Sequence, residues 1–173
     1  MKRNILLFGI FGAISGFFSF FSLFNDLESS KVYKTILEYG PGWIFGITIS
    51  LLLYFRFRKH IFFHILYVAI STGAFYVAMK VFSYFNDFDG GGYQGFFMAG
   101  LVGSSILTTS LRFVYPISFK HMAIIVAVGA VAGLPADFLS VFNIFVTWQT
   151  AVAIAICYAI NESMEVSKKT SSI

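Results

Sequence analysis

The sequence predicts an all-α, polytopic integral membrane protein: a bundle of about six transmembrane helices with both termini cytoplasmic. Three observations predict it. Of the 173 residues, 58% are hydrophobic and only 12% are charged, whereas a soluble domain is about 45–50% apolar and about 25% charged. The mean hydropathy is +0.81, more apolar surface than a soluble fold of this length can hide, so a bilayer is the solvent. The basic residues, finally, fall between the apolar runs in an alternating pattern.

A helix needs about 20 apolar residues to cross a hydrocarbon core about 30 Å thick. Six runs qualify or come close: 5–24, 43–57, 61–85, 95–111, 122–141 and 144–160. They fill one transmembrane domain spanning residues 1–173, without a soluble module. The first run continues well past Ala13-Ile14-Ser15, so it reads as an uncleaved anchor rather than a signal peptide. The second, at about 15 residues, is short, and Arg56 and Arg58 would snorkel to help it reach across. The long connector between the first two runs contains SSKVYKTILEY, which fits a short amphipathic helix on the membrane surface.

Charge orients these spans. Lys2, Arg3, Arg56, Arg58, Lys59, Arg112, Lys120, Lys168 and Lys169 all fall on one side of six spans. The other side carries Lys31 and Lys34, with Lys80 near it, against Asp26, Glu28, Glu38, Asp87 and Asp89. Cytoplasmic loops carry the excess of Lys and Arg, so the expected location is the cell's inner (plasma) membrane with both termini inside. Trp43 and Trp148 each open a span on the outer side, where an aromatic belt belongs.

In lipid, helices associate through small residues and interhelical hydrogen bonds. Gly12 and Gly16, Gly42 and Gly46, and Gly129 and Gly133 each have the spacing of a close-packing face. Such faces serve contacts within the chain, a homo-oligomer, or other membrane subunits. The fourth run is the most polar. At about 100° per residue, Gly100, Gly103, Ser104 and Thr108 fall within an arc of roughly 140°. That face either packs tightly or lines a cavity.

Asp137, in GLPADFLS, is an acid inside the fifth run, and an intramembrane acid is a functional candidate. Pro135 breaks the helix there, so Asp137 either faces a cavity from a broken helix or caps the end of a short helix at the interface. Lys80 lies at a similar depth in the third run, and a Lys80–Asp137 ion pair would neutralise both charges within the protein. Asp137, Lys80, Tyr76, Ser104 and Thr108 are therefore the candidate lining of a solute site.

His60, His64 and His121 are the imidazoles available to a metal or a haem. Each sits at a membrane interface near lysine or arginine, where polar residues are expected, and no acid is near them in sequence. No metal or cofactor is expected. Cys157 is alone, so no disulfide forms within the chain. NDFDGGGYQ, 86–94, fails as a calcium loop because position twelve, counted from Asp87, is Met98 rather than glutamate.

No GxSxG, HExxH, P-loop or CxxC is present, so nothing marks an enzyme. The basic residues are dispersed without an aromatic platform, which argues against nucleic acid despite an isoelectric point near 9.2. The expected partner is the lipid bilayer. The favoured function is a small multi-pass transporter or solute-binding membrane component. A non-catalytic accessory or assembly subunit of a larger membrane complex is the alternative, and a lipid-active enzyme the third reading. Six spans, cytoplasmic termini, a long first outer loop and a first helix rich in small residues (Gly9, Gly12, Ala13, Gly16) are similar in plan to the substrate-binding subunits of energy-coupling-factor vitamin transporters. That likeness, which extends to no substrate motif, implies a solute held among the helices.

Overall fold

The computed structural model describes residues 2–24, 39–57, 60–89, 92–134 and 141–170. These form α1 (Lys2–Phe24), α2 (Gly40–Phe57), α3 (Ile61–Asp89), α4 (Gly92–Arg112), α5 (Phe119–Val131) and α6 (Val141–Thr170). The fold is all-helical, and α1, α2, α3 and α6 are long and apolar enough to cross a membrane. α5 is a shorter apolar helix of 13 residues. The expected surface helix in SSKVYKTILEY and the residues around Asp137 lie outside the described residues.

Local chemistry sets several helix ends. Pro41 sits in the first turn of α2, where its missing N–H costs nothing. α4 closes into a turn in which Val114 N and Tyr115 N both donate to Leu111 O, at 3.0 and 2.9 Å. Pro116 follows, and Ser118 caps α5 by accepting from His121 N. α6 runs on to Thr170, about ten residues beyond its apolar run. Asn161, Glu162 and Met164 continue its helical pattern, since helices do not have to stop where apolarity stops.

The helices form a closed ring in chain order. Each packs on its neighbour, and α6 returns to pack on α1. Neighbours are antiparallel. Along α1 and α6, Gly9 meets Ile154, Gly12 meets Thr150 and Gly16 meets Val146. Asn4 reaches the Asn161 carboxamide at 3.4 Å. The start of α1 and the far part of α6 therefore share one end of the bundle, together with the α2–α3 and α4–α5 turns. We call this the basic end, after Lys2, Arg3, Arg56, Arg112 and Lys120.

Glycine makes the ring tight. A Cβ on Gly12 would lie 2.8 Å from Gln149 O, and one on Gly42 would lie 2.8 Å from Thr72 Cα. A Cβ on Gly129 would lie 2.5 Å from Ser104 Oγ, and one on Gly133 would lie 2.7 Å from Phe96 O. Gly12, Gly16, Gly42, Gly46, Gly129 and Gly133 are all buried between helices of the same chain. Interhelical hydrogen bonds add direction. Ser71 donates to Gly42 O at 2.8 Å, Ser50 to His64 O at 3.1 Å, and Trp148 Nε1 to Gly129 O at 2.9 Å. Gln149 ties α6 to α1, accepting from Ser15 Oγ at 2.5 Å and donating to Ser19 Oγ at 2.8 Å. The α3–α4 seam instead sets Phe82 against Phe96, ring centres 4.5 Å apart. Outward, α1 exposes Leu6, Ile10, Phe11, Ile14, Phe17, Phe18 and Phe21, the apolar face that lipid requires.

Candidate functional site: an apolar cavity inside the ring

The two halves of the ring are filled differently. Toward the basic end the interior is packed with Ile49, Leu53, Leu111, Tyr115, Ile117, Ile125, Ile156 and Ile160, none more than 3% exposed. Toward the opposite end the inward positions are small: Ala74 and Ala78 on α3, and Ala99, Gly100 and Gly103 on α4. Small side chains on facing helices leave space. The result is a cavity of about 330 Å³ between α2, α3, α4 and α6, with Gly133 beyond the end of α5. Its remaining walls are mostly aromatic and aliphatic: Phe45, Phe75, Met79, Phe82, Phe96, Leu107, Ile144, Phe145 and Trp148.

The polar groups on its wall are already engaged. Ser71 bonds Gly42 O, Gln149 bonds Ser15 and Ser19, and the Trp148 indole bonds Gly129 O. No charged residue lines it among the described residues. Trp148 packs against Phe45 with ring centres 5.7 Å apart, fixing the inner wall. The volume is at the lower end of the range for small-molecule sites, about 300–1,000 Å³. Apolar walls with satisfied polar neighbours favour an apolar occupant over water.

The residues singled out in the sequence are distributed as follows. Lys80 and Tyr76 sit together on the exposed side of α3, with Nζ 5.6 Å from the Tyr76 ring centre. Tyr76 also packs against Tyr39, centres 5.8 Å apart. Neither lines the cavity, whose α3 wall is Ser71, Ala74, Phe75, Ala78, Met79 and Phe82. Asp137 lies outside the described residues, so its pairing with Lys80 has no geometry here. The polar face of α4 divides. Gly100 and Gly103 border the cavity. Ser104 and Thr108 are buried, bonding back to Gly100 O and Ser104 O, both at 2.6 Å. Ser104 also reaches Val126 O of α5 at 3.4 Å. Hydroxyls in a helix satisfy themselves on the preceding turn, and that of Ser104 also serves the α4–α5 seam.

The three histidines take three separate positions. His60 is exposed and accepts from Phe62 N at 3.3 Å as α3 begins. His64 is buried, edge-on to Tyr54 with ring centres 5.4 Å apart. It borders a second, smaller cavity of about 110 Å³ with Tyr67, Ser110 and Tyr115. Burial pushes the Tyr115 phenol up to about 12, so it remains a neutral donor at physiological pH. Among the described residues no group of three or more His, Cys, Asp or Glu comes together to hold a metal.

His121 reveals what sequence reasoning missed. Its Nε2 lies 3.1 Å from Glu162 Oε2. Its Nδ1 lies 2.9 Å from Ser118 Oγ and 3.3 Å from Ser163 Oγ, and Tyr158 packs near its ring, centres 6.1 Å apart. This polar cluster fastens the start of α5 to the far part of α6. Glu162 was absent from the candidates because it lies 41 positions from His121 and only ring closure unites them. Its one local signal is an acid two residues past the apolar run that ends at Ile160. Comparison with family models, curated proteins and solved structures finds no match.

Proposed function

We propose that this chain is a multi-pass protein of the inner (plasma) membrane that binds a small apolar solute, or the apolar part of a larger one, within its helix ring. It serves as a solute-binding or transport component. The cavity between α2, α3, α4 and α6 carries this reading: about 330 Å³, with no charged residue in its wall among the described residues. We read the chain as a six-span arrangement with cytoplasmic termini. α4, at 21 residues, is about 30 Å long at about 1.5 Å per residue, enough to cross. α5 is the short member, held along α4 through Gly129 and Gly133. With six spans, nine of the twelve Lys and Arg residues of the sequence would fall on the side of the termini, as the positive-inside rule expects of the cytoplasmic face. The cavity then belongs to the half of the bundle farther from the cytoplasm.

Native mass spectrometry of protein extracted gently from its own membrane tests this. The wild-type chain should retain an apolar small molecule. Gly103→Leu should lose it, because the Gly103 Cβ position has only Ala78 Cβ at 3.4 Å and Trp148 Cζ2 at 3.9 Å nearby, and a longer side chain must extend into the cavity. A wild-type protein that carries nothing, or a Leu variant that retains the same molecule, refutes the reading.

A further inference from the structure

A separate cleft lies on the outside of the ring, at the basic end, between α1 and α2. Its volume is about 560 Å³, and it is lined by Arg3, Asn4, Leu7, Phe11, Phe55 and Arg56 with neighbouring core residues. Its composition is divided by depth. Arg3, Asn4 and Arg56 lie at the end of the bundle. Leu7, Phe11 and Phe55 are exposed apolar side chains, Leu7 and Phe11 one and two helical turns further along α1 than Arg3. No carboxylate lines the cleft, and neither arginine has an ion-pair partner among the described residues.

Arg56 is held in place rather than trailing freely. With its carboxamide oxygen turned toward α2, in place of its donation to Asn161, Asn4 accepts from Arg56 Nε at 2.9 Å and Nη2 at 3.2 Å. A neutral acceptor orients the guanidinium without cancelling its charge, leaving the other N–H donors of its fork to be satisfied. Two uncompensated guanidinium groups above an exposed apolar groove, at the level where lipid headgroups lie, complement one occupant. We propose that this cleft binds an anionic phospholipid, with the phosphate between Arg3 and Arg56 and an acyl chain along Leu7, Phe11 and Phe55. The inference needs only that the chain lies in a bilayer, and it is independent of what the inner cavity holds.

Native mass spectrometry of the full chain in detergent reads it out, with lipid added back. The probes are phosphatidylglycerol and phosphatidylcholine with identical acyl chains. The wild-type protein should bind phosphatidylglycerol at lower concentration. Each arginine should contribute roughly fivefold to that preference, so Arg3→Gln with Arg56→Gln should remove most of it. Arg56→Lys, which keeps the charge but loses the fork, should give an intermediate loss. Arg112→Gln is the control, because Arg112 is an exposed arginine at the same end but stacked over Phe119 at 3.7 Å, outside the cleft. It should leave the preference unchanged. Equal binding of the two lipids overturns the proposal, as does an undiminished preference in the double variant. An Arg112→Gln loss matching that of Arg56→Gln would reduce the effect to general interfacial charge and also overturn it. Displacement by inorganic phosphate at matched concentration would refute the lipid assignment, since the apolar groove would then contribute nothing. Unchanged thermal stability of Arg56→Lys separates loss of the site from loss of the fold.

Discussion

Gly16→Ala is the sharpest test of the ring, because it adds one methyl group at the seam where the last helix meets the first. The new Cβ would stand 2.5 Å from Val146 Cα, 2.6 Å from Phe145 O and 2.7 Å from Val146 N. All three are backbone atoms, so no side chain can rotate out of the way. Ordinary contact distance is reached only if α1 and α6 separate locally by about 1 Å, and overpacking of this kind costs about 1–3 kcal/mol. The same displacement stretches the Gln149 bonds to Ser15 and Ser19, now 2.5 and 2.8 Å. Interhelical bonds in membranes contribute about 0.6 kcal/mol each on average, and up to about 1.7. The expected loss is therefore about 2–4 kcal/mol, read as reversible unfolding in mixed detergent micelles. Gly73→Ala is the matched control: its Cβ would meet nothing within 4 Å, so only helix propensity changes, and stability should hold or rise by about 0.5–1 kcal/mol. A Gly16→Ala protein within about 0.5 kcal/mol of wild type would show that α1 does not pack on α6 as described.

Gln149→Leu should cost about 1–2 kcal/mol in the same assay, since it removes two bonds that cross the α1–α6 seam; no change would mean those bonds do not hold the ring. The His121–Glu162 contact at 3.1 Å predicts coupling. A cycle of His121→Ala and Glu162→Ala should give losses smaller together than their sum, and strict additivity would dissolve the pair. Gly103→Leu should keep or raise thermal stability while abolishing retention of the apolar molecule, because it fills space rather than displacing backbone; a large drop in stability would mean the cavity is smaller than described.

Much of the architecture can be read from the sequence because lipid simplifies the rules. Each described helix overlaps an apolar run, though α5 ends at Val131 where the expected run continues to 141 and α6 extends about ten residues past its own, and the glycine pairs sit where backbones approach closely. What sequence cannot supply is which faces meet. Gly100, Gly103, Ser104 and Thr108 share one arc, but helical geometry does not say that Gly103 turns to a cavity while Gly100 and Ser104 also pack on α5. Hydroxyl groups raised the expectation of a polar lining. They are spent on carbonyls of their own helix, a bond available to Ser and Thr wherever they face. Tyr76 and Lys80 stand out as polar groups in an apolar run, yet both lie on the exposed side of α3 rather than on the cavity wall. The cavity itself left a faint trace: alanine and glycine at Ala74, Ala78, Ala99 and Gly103, where the packed half has leucine and isoleucine. Small residues also mark close packing, and only the distance to the facing helix separates the two meanings.

The unequal filling of the ring bears on mechanism. At the basic end the core is filled by Ile117, Ile125, Ile156 and Ile160, all buried, leaving the smaller cavity of about 110 Å³ beside Leu53, Leu111 and Tyr115, and His121 meets Glu162 there. At the other end the same ring is hollow. On the proposed reading, a solute reaches the cavity from the hollow side and meets a packed floor. A single-chain transporter would have to open that floor, breaking the His121–Glu162 contact and separating large aliphatic side chains, whose burial at about 25 cal/mol per Å² makes the opening costly. A solute-binding component that hands its ligand to another machine has no need to open it within its own ring. The packed half therefore favours the binding role within the proposed class. It also locates where a transporter would have to move: at the α5–α6 contact beneath Trp148, where one aromatic side chain both walls the cavity and hydrogen-bonds the neighbouring helix.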